Sequence, residues 1–317
     1  MTNVATPDTT VEFEPFRAEL TGYCYRMLGS TFDADDAVQA TMVRAWRGYH
    51  RFEGRSSLRS WLYRIATNVC IDLLHGRARR AVPMDLGPSS PGDSRLGDPS
   101  PEVPWIEPLP GGADPADVAV GRETIRLAFV AALQFLPARQ RAILILRDVL
   151  GWSATEVAAL LDMTGPSVHS ALQRARTTLA ARNLSAGMPL DPVDEDQLAL
   201  LARYVDAFER FDVDALVSIV REDAVVSMPP WDLWLQGREQ INRWWNGEGA
   251  GCQASRFVPT WANGAPAFGL YKPSADGGYD AFAIQVVEVS GRRISALHSF
   301  LEPRLFRQFG LPVRLAQ

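Results

Sequence analysis

Hydrophobic residues recur at helical spacing through residues 11–82 and predict three helices there. The second of them opens on the acidic run 33–36, which suits the positive end of a helix dipole. Ser57 opens the third, which runs into the basic residues of 77–80. The predicted buried face of the first helix consists of Phe13, Phe16, Leu20, Tyr23 and Met27. This part of the chain is therefore predicted to be all-helical.

Residues 151–182 predict two short helices joined by a tight turn, which is the pattern of a helix-turn-helix. Ser153 and Glu156 have capping-box spacing, and after the turn Pro166 suits the first position of the second helix. The predicted inward face of that helix holds Val168, Leu172, Ala175 and Leu179. The outward face, which lacks acidic residues, holds Pro166, Ser167, His169, Ser170, Gln173, Arg174, Arg176 and Thr177. This face is either one that reads DNA bases or a solvated polar surface.

The composition changes abruptly in residues 83–119, which are rich in Pro, Gly, Ser and Asp and show no helical or strand period. Such a segment predicts a flexible linker. It contains one hydrophobic island, Val103–Pro108, which is either an anchor on the protein surface or a functional element.

In the last third, segments with a helical period are accompanied by runs rich in β-forming residues. This pattern predicts an α+β domain, with helices first and an antiparallel sheet after them. It also contains five of the nine tryptophans. The predicted helices span 198–211, 213–220 and 237–245, and the predicted strands span 224–228, 256–261, 267–271, 279–289 and 293–301.

Composition excludes several classes of protein. No run of about 18 apolar residues is present to span a bilayer. The first residues lack the basic and apolar parts of a secretory signal, so we expect a cytoplasmic protein. Three cysteines far apart in the sequence predict neither disulfides nor a metal site. No cofactor is expected.

Positive charge is concentrated on a chain whose net charge is −5. Residues 51–80 contain seven arginines against two acids, and residues 166–184 contain three arginines and no acid. Phosphate contacts supply most nonspecific affinity for DNA. Two basic patches on an acidic chain therefore indicate that a partner helps to hold the DNA.

The ordered motifs at Asp33–Trp46, Ser57–Asn68 and Leu136–Arg141, followed by the helix-turn-helix, resemble bacterial extracytoplasmic-function (ECF) sigma factors of the sigma-70 family. The last third resembles a SnoaL-like domain, and the Trp105 island is most similar to that of the sigma G group. The resemblance implies two all-α sigma domains and an α+β cone. Its expected parts are region 2 (11–82), the flexible linker (83–119), region 4 (120–184) and the SnoaL-like domain (195–317).

The resemblance also implies partners and site residues. Core RNA polymerase is expected to contact Asp36, Gln39 and Arg44, whereas Asp33 is either a contact or a helix cap; Ala37 and Ala40 depart from the family pattern. The −10 element of a promoter is expected to meet Arg55, Asn68 and Asp72, with phosphates at Arg77, Arg79 and Arg80. The −35 element is expected to meet Ser167, His169, Ser170 and Gln173, with phosphates at Arg174 and Arg176. Trp61 is predicted to be core. The sequence indicates no membrane and no specific anti-sigma partner.

The role of the last third leaves alternatives. We expect an intramolecular regulator, in which Trp231, Trp234 and His298 either line a pocket or pack against the sigma domains. A SnoaL-like enzyme is the alternative, with Asp206, Asp280 and His298 as candidate proton-transfer groups, although their spacing forms no catalytic signature. A ligand-responsive repressor would leave the motifs of residues 33–68 unexplained.

Overall fold

The computed structural model describes residues 13–111, 126–181 and 195–316. Three helices form the first part: α1 (Arg17–Leu28), α2 (Thr31–Gly48) and α3 (Leu58–Leu74). The hydroxyls of Ser30 and Ser57 cap α2 and α3 by accepting from backbone N–H groups three residues later. The three predicted helices are confirmed, and of the predicted first face only Phe16 is half-buried rather than buried.

The described part of the predicted linker, residues 83–111, differs from a flexible tether because its backbone is bonded to folded neighbours on both sides. Ala81 N donates to Pro104 O and Ile106 N donates to Ala81 O, each at 2.9 Å, which joins the island to the end of region 2. Ser90 N and Ser100 N donate to carbonyls of the last third. A Cβ at Gly92 would lie 2.2 Å from Gln240 O, so only glycine allows this approach. Residues 112–119 lie outside the described part of the chain.

The helix-turn-helix part contains α4 (Leu127–Leu133), α5 (Ala138–Leu144), α6 (Ala154–Leu161) and α7 (Gly165–Ala180), with a π-helical turn at Ile145–Val149. The predicted capping box of Ser153 and Glu156 is present, and Val168, Leu172 and Ala175 are buried as predicted. Thr164 caps α7, so Pro166 is its second residue rather than its first. Leu179 is half-buried. The predicted domain ends, at 120–125 and 182–184, lie outside the described residues.

The last third is an α+β domain. Its helices are α8 (Glu195–Glu209), α9 (Val213–Ile219), α10 (Arg238–Asn246) and α11 (Leu305–Gln308). Its strands are β1 (Val220–Ser227), β2 (Trp234–Gln236), β3 (Arg256–Ala262), β4 (Ala265–Pro273), β5 (Tyr279–Ser290), β6 (Arg293–Phe300) and β7 (Arg314–Leu315).

The strands form one sheet in the order β2-β1-β6-β5-β4-β3, with β7 paired to β5. Neighbours are antiparallel except β1 and β6, which are parallel. Tyr204 on α8 donates to Gln285 Oε1 on β5 at 2.5 Å, so this helix is fixed to the middle of the sheet. The sequence did not indicate β2, because three residues are too few to show an alternating pattern.

Candidate functional site

The outward face of α7 carries the side chains that the sequence assigned to base contacts. Ser167, His169, Ser170 and Gln173 are exposed, as is Arg174. Opposite them, Val168, Ala171 and Leu172 pack inward, so the exposed side chains are displayed from a rigid helix. The N-terminal turns of the second helix are the part of a helix-turn-helix that enters the major groove. Base contact by these residues stays a prediction.

Arg176 differs from the other polar residues of α7 because its guanidinium is already paired. Its Nε and Nη2 atoms bond both carboxylate oxygens of Asp148 at 2.8 and 2.7 Å. This hydrogen bond raises the pKa of Arg176, and the pair fixes α7 to the turn after α5. A phosphate would have to replace a bidentate carboxylate there.

The basic residues after α3 are bound within the chain. Asp33 Oδ2 accepts from Arg77 at 3.2 Å and from Arg80 at 2.6 Å. Arg79 bonds Asp85 at 2.9 Å and lies 3.8 Å from the Phe135 ring centroid. Arg80 also donates to Trp105 O, and its side chain is only 18% exposed. In this structure the Arg80 side chain therefore joins the hydrophobic island to α2, and its contact with phosphate stays a prediction.

The Asp33 carboxylate forms ion pairs with Arg77 and Arg80, whereas Ser30 caps the helix. Asp33 is therefore not the cap, and its carboxylate is not free for a partner in this structure. The remaining −10 candidates are exposed. Asn68 projects from α3, whereas Asp72 lies 3.4 Å from Arg44 and Arg55 forms an ion pair with Glu53. One polymerase candidate and one DNA candidate thus share an ion pair.

The outer face of α2 presents Asp36, Gln39 and Arg44 to solvent together with two apolar side chains that had no assigned role. Val43 is 43% exposed and Trp46 is 77% exposed. Exposed apolar area bordered by charged residues marks interaction surfaces. The signal in the sequence was a tryptophan outside the buried stripe of α2. By contrast, Trp61 packs against Phe13 and Phe52, as predicted for a core residue.

Region 4 packs directly on region 2 through the buried guanidinium of Arg141. It donates to Met27 O at the end of α1, to Gln134 Oε1 at 2.7 Å, and to the carbonyls of Gln134 and Leu136 at 3.1 Å. Burial lowers the pKa of Arg141 to about 10. Arg64 on α3 also donates to Ala159 O on α6. The Arg141 guanidinium thus satisfies the carbonyl of Met27 at the end of α1, which would otherwise require water.

Glu107 of the island joins region 2 to the last third of the chain. Its carboxylate accepts from Ser30 at the start of α2 and, at 2.8 Å, from Arg304 of the last third. Its backbone N donates to Gly29 O at 3.0 Å, and its carbonyl accepts from Tyr25 Oη at 2.8 Å. Burial raises the pKa of Glu107, against the opposite effect of the Ser30 hydrogen bond and nearby arginines. One acidic side chain therefore ties the island to two domains.

Asn263 makes the second junction, at the β3–β4 turn. Its Nδ2 donates to Tyr25 Oη at 2.7 Å, its Oδ1 accepts from Leu109 N at 2.9 Å, and its backbone N donates to Leu109 O at 2.9 Å. Gly111 N also donates to Trp261 O at 3.1 Å. The last third is therefore hydrogen-bonded to α1 and to the residues just after the island at the same place.

Trp231 and Trp234 bind the segment after region 2, and neither borders the cavity that contains His298. Their indole Nε1 atoms donate to Gly97 O at 2.6 Å and to Gly87 O at 3.0 Å. An indole N–H seeks an acceptor when its ring is packed, and carbonyls of an irregular segment supply one. Both indoles therefore bond to the segment between the two sigma domains rather than to either sigma domain, and a pocket role for these tryptophans stays a prediction.

His298 does line a cavity, of about 500 Å³, at the junction of the domains. Its Nδ1 lies 2.8 Å from Ser227 Oγ, and its Nε2 lies 3.9 Å from Glu288 Oε1. Burial lowers the pKa of His298 despite the opposing charge of Glu288, which favours a neutral imidazole. Asp206 and Asp280 are exposed, pair with Arg210 and Arg314, and do not border the cavity. The proposed proton-transfer groups are therefore not brought together.

Within 13–111, 126–181 and 195–316, no helix is both long and apolar enough to cross a membrane. Over the same ranges, no group of three or more His, Cys, Asp or Glu side chains is arranged to hold a metal ion.

Comparison with known proteins identifies relatives of each part. Family models match Sigma-70 region 2 at residues 13–80, Sigma-70 region 4 at 126–179 and a SnoaL-like domain at 201–296. The ECF RNA polymerase sigma factor SigG of Mycobacterium tuberculosis (strain ATCC 25618 / H37Rv) is 43% identical over 316 residues, which cover 96% of this chain and 84% of SigG. SigM of the same strain is 35% identical over 148 residues, which cover 47% of this chain and 63% of SigM.

A solved structure has the same overall arrangement. The crystal structure of the M. tuberculosis extracytoplasmic function sigma factor SigJ matches with a TM-score of 0.60 at 21% identity, covering 95% of this chain and 100% of SigJ. At this identity the match shows a shared fold, with two helical parts followed by an α+β part.

Proposed function

The chain belongs to the extracytoplasmic-function (ECF) RNA polymerase sigma factors, and we propose that its SnoaL-like domain holds this sigma factor in a closed, promoter-incompetent arrangement. Residues 11–82 bind core polymerase and the −10 element, and residues 120–184 bind the −35 element. Such a factor works in the cytoplasm, where polymerase and chromosome are found. The observation that carries the proposal is the pair of junctions at Glu107 and Asn263, which hydrogen-bond the SnoaL-like domain to region 2 and to the segment that leads to region 4.

Distance supports a closed state. The −10 and −35 elements lie about 25 base pairs apart, so about 85 Å of DNA separates them at about 3.4 Å per base pair. A compact chain of 317 residues has a radius of gyration of about 20 Å and measures roughly 50 Å across. In the closed chain, moreover, α3 of region 2 and α6 of region 4 touch through Arg64 and Ala159. The two DNA-binding parts must therefore separate before both can reach a promoter.

Polymerase binding involves the outer face of α2. Asp36, Gln39 and Arg44 are exposed there, and Trp46 adds apolar area beside them. A charged rim around an exposed aromatic residue is the composition of a protein interface. This face stays exposed to solvent in the closed arrangement. We therefore propose that polymerase binds α2 first and that region 4 is released afterwards.

Weakening the junction tests the proposal. The Asn263→Gly variant removes both side-chain hydrogen bonds and suits the positive φ of 54° at this position. At about 1 kcal/mol for each bond, initiation from a promoter library with bacterial core polymerase should rise about tenfold or more. The Arg314→Ala variant is the matched control, because Arg314 pairs with Asp276 inside the SnoaL-like domain. Unchanged or reduced initiation by Asn263→Gly would exclude a restraining role. If neither the wild-type protein nor either variant co-elutes with core polymerase, the proposed polymerase binding is wrong.

The recognition face of α7 has its own test. Base contacts specify a sequence and phosphate contacts position the protein, so the two kinds of variant should differ. We expect His169→Ala and Gln173→Ala each to lose about 1–3 kcal/mol of discrimination at the −35 element. Arg174→Ala should weaken binding by a similar factor on all sequences. Equal losses for all three variants with the same sequence preference would contradict the assignment.

A further inference from the structure

The cavity beside His298 has walls from three parts of the chain. The strands of the SnoaL-like domain supply Ser227 and Phe300, the segment after α3 supplies Met84 and Ile106, and α4 of region 4 supplies Leu127 and Ala131. Its volume of about 500 Å³ lies within the range of small-molecule sites, about 300–1,000 Å³. A ligand in this cavity would therefore contact all the parts that the closed arrangement holds together.

The charges around the cavity restrict the ligand. Arg221 bonds both carboxylate oxygens of Asp223 at 2.8 Å, so this pair is internally compensated. Glu288 adds a negative charge 3.9 Å from the neutral imidazole of His298. An anionic ligand would meet this carboxylate without a compensating cation, whereas a hydroxyl group has a proton to donate to it.

The opposite wall determines the body of the ligand. The side chains of Met84, Ile106 and Leu127 present apolar surface there, and none of them offers a strong hydrogen-bond partner to a hydroxyl group. A molecule that fits both walls is apolar along most of its length and polar at one end. This is the usual composition of a specific small-molecule site, in which a few polar groups set the orientation.

We propose that this cavity binds an uncharged small molecule whose terminal hydroxyl group donates to Glu288 beside His298 and whose apolar body packs between Ile106 and Leu127. Because these two residues belong to the island and to region 4, the bound molecule strengthens the closed arrangement. That consequence rests on the proposed function, whereas the binding itself does not.

Calorimetric titration of the full-length protein with β-naphthol tests the binding. With eleven non-hydrogen atoms at roughly 0.5–0.6 kcal/mol each, we expect a dissociation constant of about 10–100 μM. The anion β-naphthoate should bind at least about tenfold more weakly, and the Glu288→Gln variant should narrow this difference. Equal binding of naphthol and naphthoate would overturn the assigned polarity of the site. A lack of β-naphthol binding at millimolar concentration would overturn the site itself.

Two matched substitutions locate the probe. Ala128 borders the cavity from the exposed side of α4, so the Ala128→Phe variant fills the space without entering a core. Ala202 is exposed on α8 and does not border the cavity, so Ala202→Phe is its control. We expect Ala128→Phe to weaken β-naphthol binding at least about tenfold and Ala202→Phe to leave it unchanged. Equal affinities would place the probe elsewhere.

Hydrogen exchange separates the binding site from its consequence. Saturating β-naphthol should slow exchange of the Ile106 and Glu107 amides, which donate to Ala81 O and Gly29 O in the closed arrangement. Binding without any slowing would leave the site intact and refute its coupling to closure. Slowing in a chain that never associates with polymerase would support the site while the proposed function fails.

Discussion

Replacement of Glu107 by alanine should open the junction of the island with region 2 and the SnoaL-like domain. The carboxylate is buried, and it accepts from Ser30 on one side and from Arg304 on the other. Alanine leaves both donors without their acceptor. The Glu107→Gln variant is the informative partner, because its amide oxygen still accepts from Arg304 while the charge is removed.

The magnitude follows from the two hydrogen bonds. A buried bond to a charged group contributes about 1.5–3 kcal/mol, which applies to Ser30. The Arg304 side chain is 60% exposed, so its pair with Glu107 contributes about 0.5 kcal/mol after solvent screening. Loss of the carboxylate also removes its unfavourable desolvation, which burial imposes and which raises the pKa of Glu107. We therefore expect about 2 kcal/mol of lost closure free energy for alanine and less than about 1 kcal/mol for glutamine.

Amide hydrogen exchange measures this loss directly at the island. Where exchange requires local opening, 2 kcal/mol corresponds to about thirtyfold faster exchange of the Ile106 and Glu107 amides. Glu102→Ala serves as the control, because Glu102 is an exposed acid in the same segment. If Glu107→Ala exchanges at the wild-type rate, or no faster than Glu102→Ala, the carboxylate does not hold the junction and the reasoning is wrong.

Three further predictions concern other parts of the chain. The Trp46→Ala variant should keep wild-type stability and lose polymerase affinity in a pull-down, whereas Trp61→Ala should lower the free energy of unfolding of region 2 by at least about 2 kcal/mol in urea. The SnoaL-like domain should lose stability as pH falls below about 6.5, the ordinary pKa of histidine, because His298 is neutral when folded and takes up a proton when unfolded. A flat urea midpoint across that range, or the same slope in His298→Gln, would count against this. The Arg141→Lys variant should loosen region 4 from region 2 by about 2 kcal/mol, since one ammonium cannot keep the single bond that crosses to Met27 O together with the three acceptors within region 4, and unchanged protease resistance would contradict it.

Helical periodicity was sufficient to predict the parts that fold locally. The three helices of region 2, the capping box at Ser153 and the exposed face of α7 all depend on residues three or four positions apart. Residues 83–111 show no such local period, and their composition therefore predicted a flexible segment, which the structure does not have. Their fixed backbone depends on carbonyls and N–H groups of distant strands, and no side-chain period records such bonds.

The sequence could predict which side chains of the candidate site are exposed, because exposure follows from position on one helix. It could not predict which of them form ion pairs with residues far away in the sequence. Gln173 and His169 are exposed because of their position on one helix. The ion pairs of Arg80 with Asp33 and of Arg176 with Asp148 join residues far apart in sequence, so the basic patches looked free. The bond of Trp231 to Gly97 likewise joins residues far apart in sequence, so no local pattern could predict it.

The position of Glu107 makes closure a reciprocal equilibrium. Because one side chain bonds α2 and the SnoaL-like domain together, whatever tightens one contact favours the other. Linkage then requires symmetry between the two ends of the molecule: if a ligand in the domain junction weakens polymerase binding by a given factor, polymerase weakens binding of that ligand by the same factor. Core polymerase would therefore act as a competitor that expels the small molecule without approaching its cavity, and the cellular amount of free polymerase would help to set the sensitivity of the sensor.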